Sequence, residues 1–216
     1  MYADETVTRL RKAGVIAILR RMPDEKLMAV AEAAVAGGVE AIEITLDSPG
    51  AIAGIAALRR LYGEKLLVGA GTLMSAAQAT ACVEAGAQFL VSPHVDASLM
   101  QAAQDLRCLM IPGILTPTEI VQAEKMGASV LKLFPAGAFG AQYLKDLLGP
   151  FHGKAFIPTG GITEENAPDF VRAGALAVGM GSALVGRAHV EGRQWGKIAD
   201  HVRAVKASVR LAREMS

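Results

Sequence analysis

The chain has 216 residues, 52% of them hydrophobic and only 5% aromatic, so it is long enough for one core built from Ala, Val, Ile and Leu, and no linker divides it. Its 22 basic and 21 acidic residues leave a net charge of +1, with no basic stripe for nucleic acid and no charged tail. No apolar run is long enough for a membrane span, and MYADETVTRLRKAG lacks the apolar region of a signal peptide. Cys82 and Cys108 stand alone, outside any CxxC spacing, as buried small hydrophobes of a reducing cytoplasm do.

One unit recurs along the chain. A helix-length segment ends in a small residue and a glycine, or in Met126-Gly127, and a short apolar run follows. The runs are VIAILR from Val15, AIEITL from Ala41, LLVGAGT from Leu66, FLVSP from Phe89, LMIPGI from Leu109, VLKLFP from Val130, AFIPTGG from Ala155 and AVGMGS from Ala177. Between them, apolar residues recur with a period near 3.6, most clearly over Asp24 to Ala36. Pro49, Ser75, Pro117 and Thr163 read as helix openings, the last with acidic residues in its first turn, and Gln194 to Met215 reads as a longer helix. Eight strand–helix units predict α/β architecture, a (β/α)8 TIM barrel forming a single compact domain over 1–216 with an N-terminal helix. An open doubly wound sheet is the alternative, but VIAILRRMPD is not the glycine-rich first turn that fold uses.

Strands of a parallel sheet are covered on both faces, so unbroken apolar runs are expected there. Lys132 in VLKLFP and Glu43 in AIEITL violate that expectation. Burying an ammonium is costly, and its usual escape is loss of the proton, which leaves an amine able to condense with a ketone. The segment alone also allows a lysine at the strand mouth with its head in water. Glu43 reads either as the partner of Lys132 in a structural ion pair or as a group that moves protons beside it; buried pairs are often no better than apolar replacements, which favours the second.

Active sites of this barrel form at the C-terminal ends of the strands. Those ends carry Arg20, Glu43 with Thr45, Thr72, Ser92-Pro93, Pro112-Gly113, Lys132, Thr159-Gly160-Gly161 and Gly181-Ser182. The glycines after the seventh and eighth strands match the phosphate cradle of the fold, where backbone N–H groups approach the oxygens. Arg20 is a candidate for holding a carboxylate or phosphate, and His94 is near enough to reach the site. The four histidines show no metal spacing, so no metal and no cofactor is expected.

The segments GVIAILR, AGGVEAIEITL, VGAGT, AGAQFLVSP, IPGILTPTE, LKLFPAGAFG and IPTGGIT…AGALAVGMGS resemble, in order and over nearly the whole chain, the class I aldolases that cleave 2-keto-3-deoxy-6-phosphogluconate (KDPG), often active also on 4-hydroxy-2-oxoglutarate (KHG). The resemblance implies a metal-independent cytoplasmic enzyme of the Entner–Doudoroff pathway, commonly a homotrimer, acting on a phosphorylated 2-keto-3-deoxy sugar acid and releasing pyruvate. It implies Lys132 as the Schiff-base lysine and Glu43 as the general acid/base. Thr72 would hold the pyruvyl carboxylate, Pro93 would line the pyruvate pocket, and the segments Thr159-Gly160-Gly161 and Gly181-Ser182 would hold the phosphate. Two positions depart from the family pattern. Asp47 stands where many members carry an arginine that meets the substrate carboxylate, which leaves Arg20 as its substitute, and His94 stands where glycine is common. A related branch acting on the 6-phosphogalactonate epimer also pairs ILR with a non-arginine there. The rivals are a phosphate-binding barrel epimerase or isomerase, with Glu43 as base and Lys132 as a charge stabiliser, and a catalytically silent sugar-phosphate sensor.

Overall fold

The computed structural model describes residues 2–215. Strands and helices alternate: α1 (Tyr2–Ala13), β1 (Val15–Leu19), α2 (Asp24–Ala36), β2 (Ala41–Thr45), α3 (Ala51–Tyr62), β3 (Leu67–Gly71), α4 (Ala76–Glu84), β4 (Phe89–Val91), α5 (Ala97–Asp105), β5 (Leu109–Ile111), β6 (Gly113–Ile114), α6 (Pro117–Lys125), β7 (Val130–Leu133), α7 (Gly140–Leu148), β8 (Ala155–Pro158), α8 (Ala167–Arg172), β9 (Val178–Met180), α9 (Ser182–Val185), α10 (Arg187–Glu191) and α11 (Trp195–Glu214). All eight apolar runs contain a strand. The fifth contains two, because Pro112 has no N–H to give the ladder and splits LMIPGI.

The strand pairs among the described residues are parallel. Six strands run in the order β5-β4-β3-β2-β1-β9, and three in the order β6-β7-β8. The sheet curls. Lys132 N donates to Pro112 O at 2.9 Å, and Thr159 forms a parallel bridge with Gly179.

Two apolar layers follow from the period of two along each strand. Val15, Ala17, Leu19, Ile42, Ile44, Val68 and Ala70 face the helices and join their buried sides in one large cluster. Ile16, Ala41, Leu67, Phe89, Leu109, Val130, Ile157 and Ala177 fill the concave face, closed below by Leu10 and Ala13 of α1. That second cluster is a floor at the N-terminal end of the strands, and the polar residues lie above it.

The helix starts have local causes. Ser75 accepts from Gln78 N, and Thr116 forms a reciprocal capping box with Glu119 ahead of Pro117. The expected opening at Thr163 is corrected to Ala167. Thr163 and Asn166 close a turn on each other, Thr163 N to Asn166 Oδ1 at 2.9 Å and Asn166 N to Thr163 Oγ1 at 3.4 Å, and Pro168 fits only the first turn of a helix. Pro49 lies one residue ahead of Gly50, the N-cap of α3. The short helices α9 and α10 follow the eighth run without any periodic signal. Among the described residues no helix is long and apolar enough to cross a membrane.

Candidate active site

A cavity of about 900 Å³ opens at the C-terminal ends of the strands. Its lining includes ten of the fourteen strand-end residues named from the sequence: Arg20, Glu43, Thr45, Thr72, Lys132, Thr159, Gly160, Gly161, Gly181 and Ser182. Pro93 is not among the lining residues; its backbone packs against Gly113, where a β-carbon would overlap it. His94 also stays outside the lining, partly buried, with Nδ1 buried and unbonded among the described residues.

Lys132 and Glu43 are both buried, 6% and 3% exposed. Each sits in the middle of a strand and points into the concave side because its neighbours Leu131, Leu133, Ile42 and Ile44 point out to the helices. Lys132 pairs in register with Gly113 and Ile157, and Glu43 with Ile18 and Gly69. The two are not held as a structural ion pair. Among the described residues Glu43 Oε1 has no hydrogen-bond partner, and Lys132 Nζ sits over the Phe134 ring, 5.1 Å from its centroid. Lys132 still acts on Glu43 through space. Burial pushes the Glu43 carboxyl above its ordinary value, with Asp47 adding to the rise, while the positive charges of Lys132 and Arg20 pull against it. A carboxyl raised in this way can give and take a proton nearer neutrality than a surface glutamate.

Small residues make the space. Gly71 ends β3 beside Glu43, and a β-carbon there would overlap the carboxylate. Gly71→Ala therefore crowds Glu43 out of position. We expect kcat to fall about 10- to 100-fold in a protein that still folds, since misplacing a reacting group by about 1 Å costs on the order of 10²-fold and overpacking costs about 1–3 kcal/mol. Steady-state kinetics beside a melting curve checks this; an unaltered kcat would mean that the carboxylate position is unimportant.

Farther up the wall, the loops after β7 and β8 pack backbone on backbone. Ala136 N donates to Thr159 O at 2.9 Å and Gly137 N to Gly160 O at 2.8 Å. Gly160 and Gly161 have φ of +83° and +74°, and a β-carbon on Gly160 would lie 2.8 Å from the Phe134 ring. These glycines therefore serve close packing as well as lining the cavity. Across from them Thr72 holds φ +61°, a left-handed backbone that a β-branched residue adopts only under constraint, at a cost of about 1–3 kcal/mol. Strain of this kind gathers at functional sites, and Thr72 lines this one.

Arg20 stands at the mouth, where its Nε donates to Asp47 Oδ2 at 3.0 Å. Burial would raise the Asp47 carboxyl, but the Thr45 hydroxyl and the Arg20 and Arg21 guanidinium groups outweigh it and hold the group below its usual range. Sequence reasoning missed Lys26 and Arg187, which reach the rim from α2 and α10. On helices they look like ordinary solvated charges, so nothing in the local pattern marks them. It also treated Asp47 only as a missing arginine.

The cavity thus brings together an amine and a raised carboxyl at its base and cations at its mouth, the groups that amine and proton chemistry requires. A family model described as KDPG and KHG aldolase matches residues 6–201. The 2-dehydro-3-deoxy-6-phosphogalactonate aldolase of Escherichia coli (strain K12) is 34% identical over 205 residues, covering 92% of this chain and 97% of its own. The KHG/KDPG aldolase of the same organism is 35% identical over 188 residues, 87% of this chain and 88% of its own. A crystal structure of KDPG aldolase from Legionella pneumophila, with pyruvate captured as a covalent carbinolamine, superposes with a TM-score of 0.85 at 32% identity, covering 92% of this chain and 97% of that one. The chain belongs to the KDPG and KHG aldolase family, and its class of activity is that of a lyase of the aldolase type.

Proposed function

We propose that the chain is a class I, Schiff-base aldolase that cleaves 2-dehydro-3-deoxy-6-phosphogluconate to pyruvate and glyceraldehyde 3-phosphate, and 4-hydroxy-2-oxoglutarate to pyruvate and glyoxylate. The observation that carries it is the burial of Lys132 and Glu43 in one cavity with no hydrogen bond or ion pair joining them. Lys132 Nζ attacks the C2 ketone, and loss of water from the carbinolamine gives an iminium. Glu43, directly or through a water, takes the C4 hydroxyl proton. The C3–C4 bond breaks, its electron pair passes into the iminium to leave an enamine, and the aldehyde departs. Glu43 relays a proton to C3 of the enamine, and hydrolysis frees pyruvate and Lys132. Thr72 holds the pyruvyl carboxylate, and Thr159-Gly160-Gly161 with Gly181-Ser182 hold the phosphate. We read the two sheets as one closed (β/α)8 barrel, a single domain over 1–216, with the protein in the cytoplasm as a homotrimer.

A second substrate reading is the 6-phosphogalactonate epimer, on the ground that Asp47 is a non-arginine paired with the ILR segment, as in the related branch acting on that epimer.

Borohydride reduction in the presence of pyruvate, followed by peptide mapping, tests the mechanism. A stable adduct on the peptide containing Lys132 is expected. A folded protein that traps nothing would shift the weight to an epimerase in which Lys132 only stabilises charge.

A further inference from the structure

Two loops meet at the mouth of the cavity, and Asp47 ties them together. Its Oδ1 accepts from Thr45 Oγ1 at 2.6 Å, and its Oδ2 accepts from Arg20 Nε at 3.0 Å and lies 3.4 Å from Arg21 Nε. Thr45 is 1% exposed and shares the inner face of β2 with Glu43; its hydroxyl also reaches Leu19 O at 3.2 Å. A second staple lies beside it, Met22 N donating to Ser48 Oγ at 3.1 Å. A line of contacts thus runs from the rigid strand, through Thr45 and Asp47, to a half-exposed guanidinium.

Arginine presents five N–H donors in a planar fork. Asp47 occupies only Nε–H of Arg20, and among the described residues no hydrogen bond takes its Nη groups, although Arg20 lines the cavity. Arg21 also lines the cavity, but it is the more exposed of the two, its backbone left-handed at φ +48° and its side chain 77% exposed against 48% for Arg20. We propose that Asp47 is a positioning residue that holds Arg20 by Nε so that the free Nη edge takes an oxyanion of the substrate. The position that lacks the usual arginine would then act on the site through another arginine, with its negative charge cancelled by the pair. The inference rests on the aldolase reading and adds to it how Arg20 is aimed.

The test is a double-mutant cycle on the intact protein with Arg20→Ala, Asp47→Ala, Asp47→Asn and Arg20→Ala/Asp47→Ala. Two assays are read, methyl-proton exchange of pyruvate and cleavage of the phosphorylated substrate. Asp47→Ala should raise KM about tenfold, with kcat falling less than KM rises, and the double variant should be no worse than Arg20→Ala alone, since residues acting as one unit are not additive. Asp47→Asn, which keeps an acceptor for Nε–H, should recover part of the loss. A rise in KM for pyruvate marks the oxyanion as the carboxylate; a rise confined to the phosphorylated substrate marks it as the phosphate. Additive losses, or an unchanged KM in both assays, would overturn the proposal. Wild-type protein that exchanges no pyruvate protons would remove the aldolase reading itself, and that result is separate from a failure of the Asp47 variants alone.

Discussion

Lys132→Ala is expected to abolish turnover, with kcat lower by on the order of 10⁴-fold or more, equivalent to about 5.5 kcal/mol of transition-state stabilisation, if Lys132 is the nucleophile we propose. The size follows from the role. Without the amine there is no iminium, and no other group at the base of the cavity can accept the electron pair of the breaking bond. Alanine also removes the positive charge that opposes the rise of the Glu43 carboxyl, so whatever proton transfer remains shifts to higher pH. Lys132→Arg separates the two readings of this residue. It keeps the positive charge but cannot form a Schiff base. If Lys132 were a charge stabiliser, the arginine variant would retain much of the activity; if it is the nucleophile, the variant is as inactive as alanine and traps no borohydride adduct. Rate measurements on both variants, with circular dichroism to establish folding, decide between them.

Glu43→Gln is expected to slow cleavage and pyruvate proton exchange together, by about 10²–10⁴-fold, the usual worth of a positioned acid/base. The same variant should be more stable than the parent at neutral pH. Burial raises the Glu43 carboxyl above its ordinary value of 4.5, so the folded protein binds that proton more tightly than the unfolded chain does. Below 4.5 the group is protonated in both states and its burial as a neutral acid carries no ionisation penalty. As pH rises from there, the unfolded chain gives up the proton first, and stability is lost until the pH passes the raised value; above it the loss is complete and constant. A tenfold difference in proton affinity is worth about 1.4 kcal/mol, and 1 kcal/mol moves Tm by about 2–4 °C in a domain of this size. Glutamine carries no such loss. The Tm difference between variant and parent should therefore be small near pH 4, grow through the acid range and level off. A difference that is the same at every pH would place the carboxyl in a solvated setting and remove the physical basis for its role.

These effects concentrate on two residues that stand out as anomalies in the sequence alone. Lys132 and Glu43 each interrupt a short apolar run, and the period of two puts each on the opposite face from its apolar neighbours. The eight runs and the glycines that end the helices are legible for the same reason: local backbone geometry restricts which residues can stand there. The breaks in the pattern are less legible. Pro112 cuts one strand into two because it lacks a single N–H, and Thr163–Asn166 closes a side-chain turn where acidic residues suggest a helix.

Composition, period and motif order thus specify the alternating α/β chain, the family and the two charged residues that interrupt its apolar strands, because each depends on residues close together in sequence. The remaining features arise where distant loops meet. The Glu43 carboxylate is raised because the whole concave wall excludes water from it, and it fits because Gly71 on another strand has no side chain. Pro93 packs beside Gly113 outside the cavity lining, and Lys26 and Arg187 reach the rim from separate helices. Asp47, an apparent loss in the sequence, engages Arg20 from 27 residues away. Side-chain charge and distance are set by folding, and a linear pattern carries no record of either.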